Sequence, residues 1–187
     1  RSKFEVEKQG IGLLSDAGLK YHNICFISDG GDPKVEQERY RDLTNMGQFY
    51  LDLVGKKGFG EKIVEALEVI AEPQNHPLVF NCAVGKDRTG ILAACLLSLL
   101  DVPQKVIIED YSLSEPYMDE LLKNLNADPK IAEGVKVLPD YFWKASPESM
   151  KLFLGTLRRE HGSIKGYLES AGADPSLGKR LRKILLD

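Results

Sequence analysis

The chain has 187 residues, of which 43% are hydrophobic and 28% charged, the balance of one soluble globular domain with enough apolar material for a packed core. Its 25 basic and 28 acidic residues leave a formal charge of −3, so no overall positive field draws in a nucleic-acid backbone, and DNA or RNA is not expected as a partner. The longest apolar run, ILAACLLSLL at 91–100, is far short of the roughly 18–20 residues that span a bilayer, and no transmembrane segment is expected.

In chain order, the first residues, RSKFEVEKQG, lack an apolar core and do not read as a signal peptide. Leu19 to Ile27 has β-rich character and ends in the turn cluster SDGGDP, which predicts a strand followed by a loop. From Glu36 to Val54, apolar side chains at Tyr40, Leu43, Met46, Phe49, Tyr50, Leu53 and Val54 recur at steps of three and four and predict one amphipathic helix. A second helix is expected from about Gly60 to Ala71, with Ile63, Val64, Leu67 and Ile70 inward. Pro77 to Cys82 is a short apolar run with turn signals on both sides, the pattern of a buried parallel strand. A loop and then a helix from Thr89 to Leu100, apolar nearly all round, follow it. Beyond Val102 the pattern is helical, with Pro147 and Pro175 in first-turn positions behind Ser146 and Asp174, and a last helix from Gly178 to Leu186. The expected fold is therefore α/β, a central and mostly parallel sheet flanked by helices, with a helical C-terminal half. No repeat or linker divides the chain, so residues 1–187 read as one domain.

Chemistry concentrates in NCAVGKDRTG, Asn81 to Gly90, where Cys82 stands six residues before Arg88. A bare Cys-x5-Arg match is weak, but this one lies where a buried strand is expected to end and a buried helix to begin. That arrangement turns loop amides inward and aims a helix N-terminus at the same point, a place for a phosphate-sized dianion. The same field stabilises Cys82 as a thiolate, with pKa values of about 3.5–7.5 known in such settings, and so makes it a nucleophile at neutral pH. Arg88 offers a planar fork to two phosphate oxygens, a geometry lysine cannot copy. Thr89 can donate its hydroxyl to the sulfur and ease its departure from a phosphocysteine. Cys25 and Cys95 read as small buried hydrophobes. Gly85-Lys86 resembles the end of an NTP-binding loop, but Phe80 stands at the first glycine position and Asp87 at that of the Ser/Thr.

The string resembles the signature loop of the protein tyrosine phosphatase superfamily, and GKDRTG in particular that of the atypical tyrosine/lipid phosphatases of bacteria and fungi. RSKFEVE at 1–7 is similar to the end of that family's DLRS-x-x-E segment, DYSLSEPYM at 110–118 to its DY-x-x-S stretch, and HGSIKGYL at 161–168 to an element of its closing helices. The resemblance implies a phosphoric monoester hydrolase of tyrosine or dual specificity, working through a phosphocysteine and needing neither metal nor cofactor. Cys82 is then the nucleophile, Arg88 the phosphate-binding arginine, and Ala83, Val84, Gly85, Lys86 and Asp87 the cradle of amides, with Thr89 beside it. Asp87, between Lys86 and Arg88, is the general acid proposed for this family, with an orienting ion-pair role as the alternative, and Asp140, in LPDYFW, is a substitute of lower rank. Lys86 is shared with phosphatases that accept phosphoinositides as well as phosphoproteins, so phosphorylated proteins, phosphoinositides and small phosphate esters are the expected substrates.

Two features differ from the family pattern. Asn81 stands where the family usually has His, which predicts a less depressed thiolate. The chain starts at Arg1, so the family's N-terminal segment is expected to be missing from this single phosphatase domain. The alternative reading is an inactive phosphate-binding module, against which the presence of Cys82, Arg88 and Thr89 together argues. The small Cys-x5-Arg phosphatases and arsenate reductases carry the loop near the chain start instead. Tyr111, Tyr117, Tyr141, Phe142 and Trp143 suggest either a lid over the pocket or ordinary core, and KRLRK at 179–183 either a peripheral contact with anionic lipid or a solvated face. A free reactive thiol suits the cytoplasm, although the family also includes secreted members. His22, His76 and His161 share no ligand spacing, so no zinc site is expected.

Overall fold

The computed structural model describes residues 18–26, 38 and 40–186. The segment at 1–17, the turn cluster at 28–33 and the predicted helix start at Glu36 lie outside the described residues. The principal helices are α1 (Met46–Gly55), α2 (Phe59–Ile70), α3 (Asp87–Leu99), α4 (Gln104–Ser112), α5 (Met118–Ala127), α6 (Pro129–Lys136), α7 (Pro147–His161), α8 (Ile164–Ser170) and α9 (Leu177–Leu185). Short 3-10 turns lie at Pro73–Asn75, Glu115–Tyr117 and Asp140–Trp143.

The described residues are helical and contain no strand, which contradicts the expected central parallel sheet. The run at 77–82 keeps a period of two, with Leu78, Phe80 and Cys82 half-buried and Pro77, Val79 and Asn81 exposed. Val79 is 90% exposed, so the run has one wet face and is not the doubly covered strand that its apolar composition implied. An apolar run between turn signals reports burial of alternate side chains but not a ladder, because pairing depends on a second segment that the local pattern does not contain. The segment at 19–26 is likewise without strand structure.

The helices follow from local sequence and are held by a common core. α7 is the organising element, packed against α1, α4 and α8, while α2 and α3 both contact α8. Tyr50 from α1, Ile63 and Leu67 from α2, Ile91 and Cys95 from α3 and Phe153 from α7 are fully buried there. α2 and α3 lie within two residues of their predicted boundaries. The predicted helix at 36–54 is broken, since Asn45 is extended (φ −159°, ψ 165°) and starts α1 by accepting a hydrogen bond from the Gln48 amide at 3.1 Å. Gln48 reaches back to the Thr44 amide at 2.7 Å, so two donors at this helix start are satisfied reciprocally. Asp174 serves Ser176, accepting from its amide at 2.8 Å, and α9 begins only after that residue.

Candidate active site

The loop 82–89 closes on its own cysteine. Gly85 has φ +77°, a left-handed conformation that a side chain would strain, and it occurs where the chain turns to point the Val84 and Gly85 amides at the Cys82 sulfur. Burial of the half-buried thiol raises its pKa. That effect is outweighed by hydrogen bonds from the Thr89 hydroxyl and from the Thr89, Val84 and Gly85 amides, which leave it below the ordinary thiol value. The Thr89 hydroxyl is buried and has no regular hydrogen-bond partner among the described residues, so ionisation of the neighbouring sulfur is what gives it an acceptor.

Asp87, Arg88 and Thr89 are the first three residues of α3, so one amide at the sulfur belongs to a helix N-terminus. No side chain caps this helix. The Cys82 thiolate therefore takes the place of a cap, and the positive end of the helix favours its charge. Arg88 is half-buried and makes no ion pair among the described residues, and Ala83, Val84 and Gly85 are exposed. Thiol, guanidinium and inward amides thus belong to one open turn that can receive a tetrahedral dianion.

Asp87 is tied to the core. Its Oδ1 accepts a hydrogen bond from the Tyr50 hydroxyl at 2.8 Å and lies 3.4 Å from the Lys86 ammonium. Tyr50 in turn meets the Tyr111 hydroxyl at 2.7 Å. Burial, followed by the neighbouring Asp87 charge, pushes the Tyr50 phenol well above its ordinary pKa and keeps it a hydrogen-bond donor. The close approach of α4 needs Gly90, where a Cβ would stand 3.1 Å from the Tyr111 ring.

Lys86 turns inward, away from the open side of the loop. It is 3% exposed, and its ammonium donates to the carbonyls of Phe142 at 2.5 Å and Lys144 at 3.0 Å. The ammonium thus fastens the Asp140–Trp143 turn to the loop, a buried charge compensated by two carbonyls and one carboxylate.

A family model described as the tyrosine phosphatase family matches residues 1–187. The chain belongs to the tyrosine phosphatase family. The recognised loop pointed to the same family, and the chain spans less than two thirds of the length of most of the relatives it matches. It is 28% identical over 176 residues to a tyrosine-protein phosphatase of Nostoc commune, covering 90% of this chain and 58% of that protein. It is 28% identical to the triple specificity protein phosphatase PtpB of Mycobacterium tuberculosis, over the whole of this chain and 80% of that protein. Inositol diphosphatase DSP4 of Arabidopsis thaliana is 34% identical over 126 residues, covering 59% of this chain and 63% of that protein.

Around the phosphatase loop, the other candidates separate. Asp140 is exposed and begins the turn that Lys86 anchors. Asn81 is exposed. Of the aromatic residues, Tyr117 is exposed, whereas Phe142 packs on Tyr40 and Phe49 with ring centroids 5.3 and 4.9 Å apart. Tyr141 donates to the Tyr40 carbonyl at 2.5 Å, so ordinary packing accounts for this pair. In the basic C-terminal stretch, Arg180 pairs with Glu68 at 2.6 Å, and Arg182 pairs with Asp101. No helix among the described residues is long and apolar enough to cross a membrane. The Tyr50–Tyr111 pair was missed as part of the site. The sequence signal was a tyrosine, where phenylalanine would pack as well, on each of two buried helix faces.

Proposed function

We propose that the chain is a single cysteine-dependent phosphomonoesterase domain acting through a phosphocysteine. The observation that carries this reading is the lowered Cys82 thiol, ringed by three amides and the Thr89 hydroxyl at the start of α3. The Cys82 thiolate attacks phosphorus and the bond to the ester oxygen breaks. Asp87 gives a proton to that oxygen, and Arg88 with the amides of 83–89 holds the equatorial oxygens as charge builds on them. Water then attacks the phosphocysteine and gives its proton back to Asp87. The sulfur–phosphorus bond breaks, and Thr89 stabilises the departing thiolate. Lys86 contributes by holding the loop against the 140–144 segment rather than by touching the substrate. A free reactive thiol suits a reducing compartment such as the cytoplasm.

The substrates are phosphotyrosine proteins and phosphorylated inositol compounds or other small phosphate esters, in keeping with the names of the relatives. The test is phosphate release between about pH 5 and 8 from an aryl phosphate, a phosphotyrosine peptide, phosphoinositides and an inositol diphosphate, with chelator throughout. Activity that survives chelator and disappears in Cys82→Ser is expected. Full activity in that variant would refute the mechanism, and silence on every substrate with retained phosphate binding would favour the binding module.

A further inference from the structure

Two helices far apart in sequence converge on the first residue of α3. Tyr50 from α1 is 0% exposed and Tyr111 from α4 is 5% exposed, and the two hydroxyls meet at 2.7 Å. A phenol in a core is costly unless its hydroxyl is bonded. Packing alone does not require either hydroxyl, because both rings sit edge-on to aromatic neighbours, Tyr50 to Phe153 and Tyr111 to Tyr50, with centroids 6.0 Å apart in each pair. Hydrogen-bond direction is also constrained. Oδ1 of Asp87 accepts whether or not Oδ2 carries a proton, so the single Tyr50 proton points to Oδ1 and the Tyr50 oxygen must accept from Tyr111. Lys86 approaches the same Oδ1 at 3.4 Å, whereas Oδ2 accepts no hydrogen bond among the described residues.

We propose that Tyr50 is a positioning residue for Asp87, fixing its carboxyl group through Oδ1 so that Oδ2 carries the proton delivered to the leaving oxygen, with Tyr111 fixing Tyr50 in turn. This rests on the reading of Asp87 as general acid. The Asp87 side chain is 26% exposed at the start of α3, yet it is oriented from the core side, by a phenol that is itself fully buried.

The experiment compares kcat/KM for a nitrophenyl phosphate, whose leaving oxygen needs little protonation, with that for an unactivated alkyl phosphate, which needs it fully. A positioned acid contributes on the order of 100-fold or more with the poor leaving group. Asp87→Asn is expected to show that loss on the alkyl phosphate alone. Tyr50→Phe is expected to lose about tenfold on the alkyl phosphate and less than about twofold on the nitrophenyl ester, with inhibition by inorganic phosphate unchanged. Tyr111→Phe is expected to follow the same pattern more weakly. Equal slowing of both substrates by Tyr50→Phe, or slowing of neither, overturns the proposal while leaving Asp87 as acid. If Asp87→Asn itself shows no leaving-group selectivity, the acid assignment fails and the positioning role falls with it. Should Tyr50→Phe not fold, Tyr111→Phe decides, since it keeps the Tyr50 donor and must still show the selective loss.

Discussion

Replacing Thr89 with Val deletes one hydroxyl from the ring of donors around Cys82 and nearly preserves shape. Burial raises the thiol, and the Thr89 hydroxyl comes first among the groups that lower it, ahead of the three amides. A hydrogen bond to a charged group is worth about 1.5–3 kcal/mol, and the half-exposed position of the sulfur reduces that to about 1 kcal/mol through solvent screening. The thiolate fraction at a pH below the titration midpoint should then fall about fivefold. The assay is the rate of iodoacetamide alkylation against pH, with Cys82→Ser as the background for Cys25. Cys95 does not interfere, because burial pushes its thiol up to about 12. Thr89→Val should move the alkylation profile to higher pH, and Thr89→Ser, which keeps the hydroxyl, should restore it. The same variant should slow hydrolysis of the phosphocysteine more than its formation, which burst kinetics on a nitrophenyl ester separates. An unchanged profile in Thr89→Val, or a Thr89→Ser variant that behaves like it, would refute the claim that this hydroxyl serves the sulfur.

The remaining expectations concern the groups around that thiolate. Because the folded thiol lies below its unfolded value of about 8.5, its stabilising contribution is fully present above that value and is lost as pH falls through the folded pKa; denaturant melts of Cys82→Ser should lack this part of the pH dependence. Lys86→Met leaves the Phe142 and Lys144 carbonyls unpaired in a buried setting and should destabilise the fold by about 2 kcal/mol. It should also speed amide exchange in the Asp140–Trp143 turn, and unchanged melting and exchange would contradict the anchoring role. Gly90→Ala places a Cβ 3.1 Å from the Tyr111 ring and should cost about 1–3 kcal/mol through overpacking, measured by chemical denaturation; a neutral result would mean that α4 yields freely. Arg88→Lys keeps the charge but loses the planar fork, and kcat should fall by on the order of 100-fold or more; near-normal turnover would remove Arg88 from transition-state binding.

What was legible in the sequence was mostly local. Cys82 to Thr89 form the loop within eight consecutive residues, so the spacing alone brings the sulfur and the α3 amides together. α2 and α3 were found because their apolar periodicity stops where the helices stop. α1 was drawn too long because Tyr40 and Leu43 continue the spacing across Asn45, although Asn45 and Gln48 carry a capping signal that marks the true start. The sheet was misjudged for a different reason, since strand pairing is a property of two segments and 77–82 supplies only one. The inward course of Lys86 was hidden as well, because a lysine is almost never buried and its compensating carbonyls come from a turn more than fifty residues away.

These non-local contacts change how the loop is held. A loop between a strand and a helix would take its rigidity from both, but here the Cys82 side follows a run with no ladder among the described residues, while the Asp87 side is bound to α1, α4 and the 140–144 turn through Tyr50, Tyr111 and Lys86. Position is therefore imposed from the helix end. The sulfur is located by donors that belong to α3 or to the turn entering it, and those donors favour the ionised thiol, so a thiolate in turn favours the closed loop. Asp87 has the opposite dependence. Its bonds come from the buried Tyr50 hydroxyl and Lys86 ammonium, so in the proposed mechanism the carboxyl group stays aimed whether the sulfur is thiolate or phosphocysteine. A two-step transfer needs this arrangement, because the same carboxyl group must give a proton in the first step and take one back in the second, after the thiolate charge that organised the loop has gone.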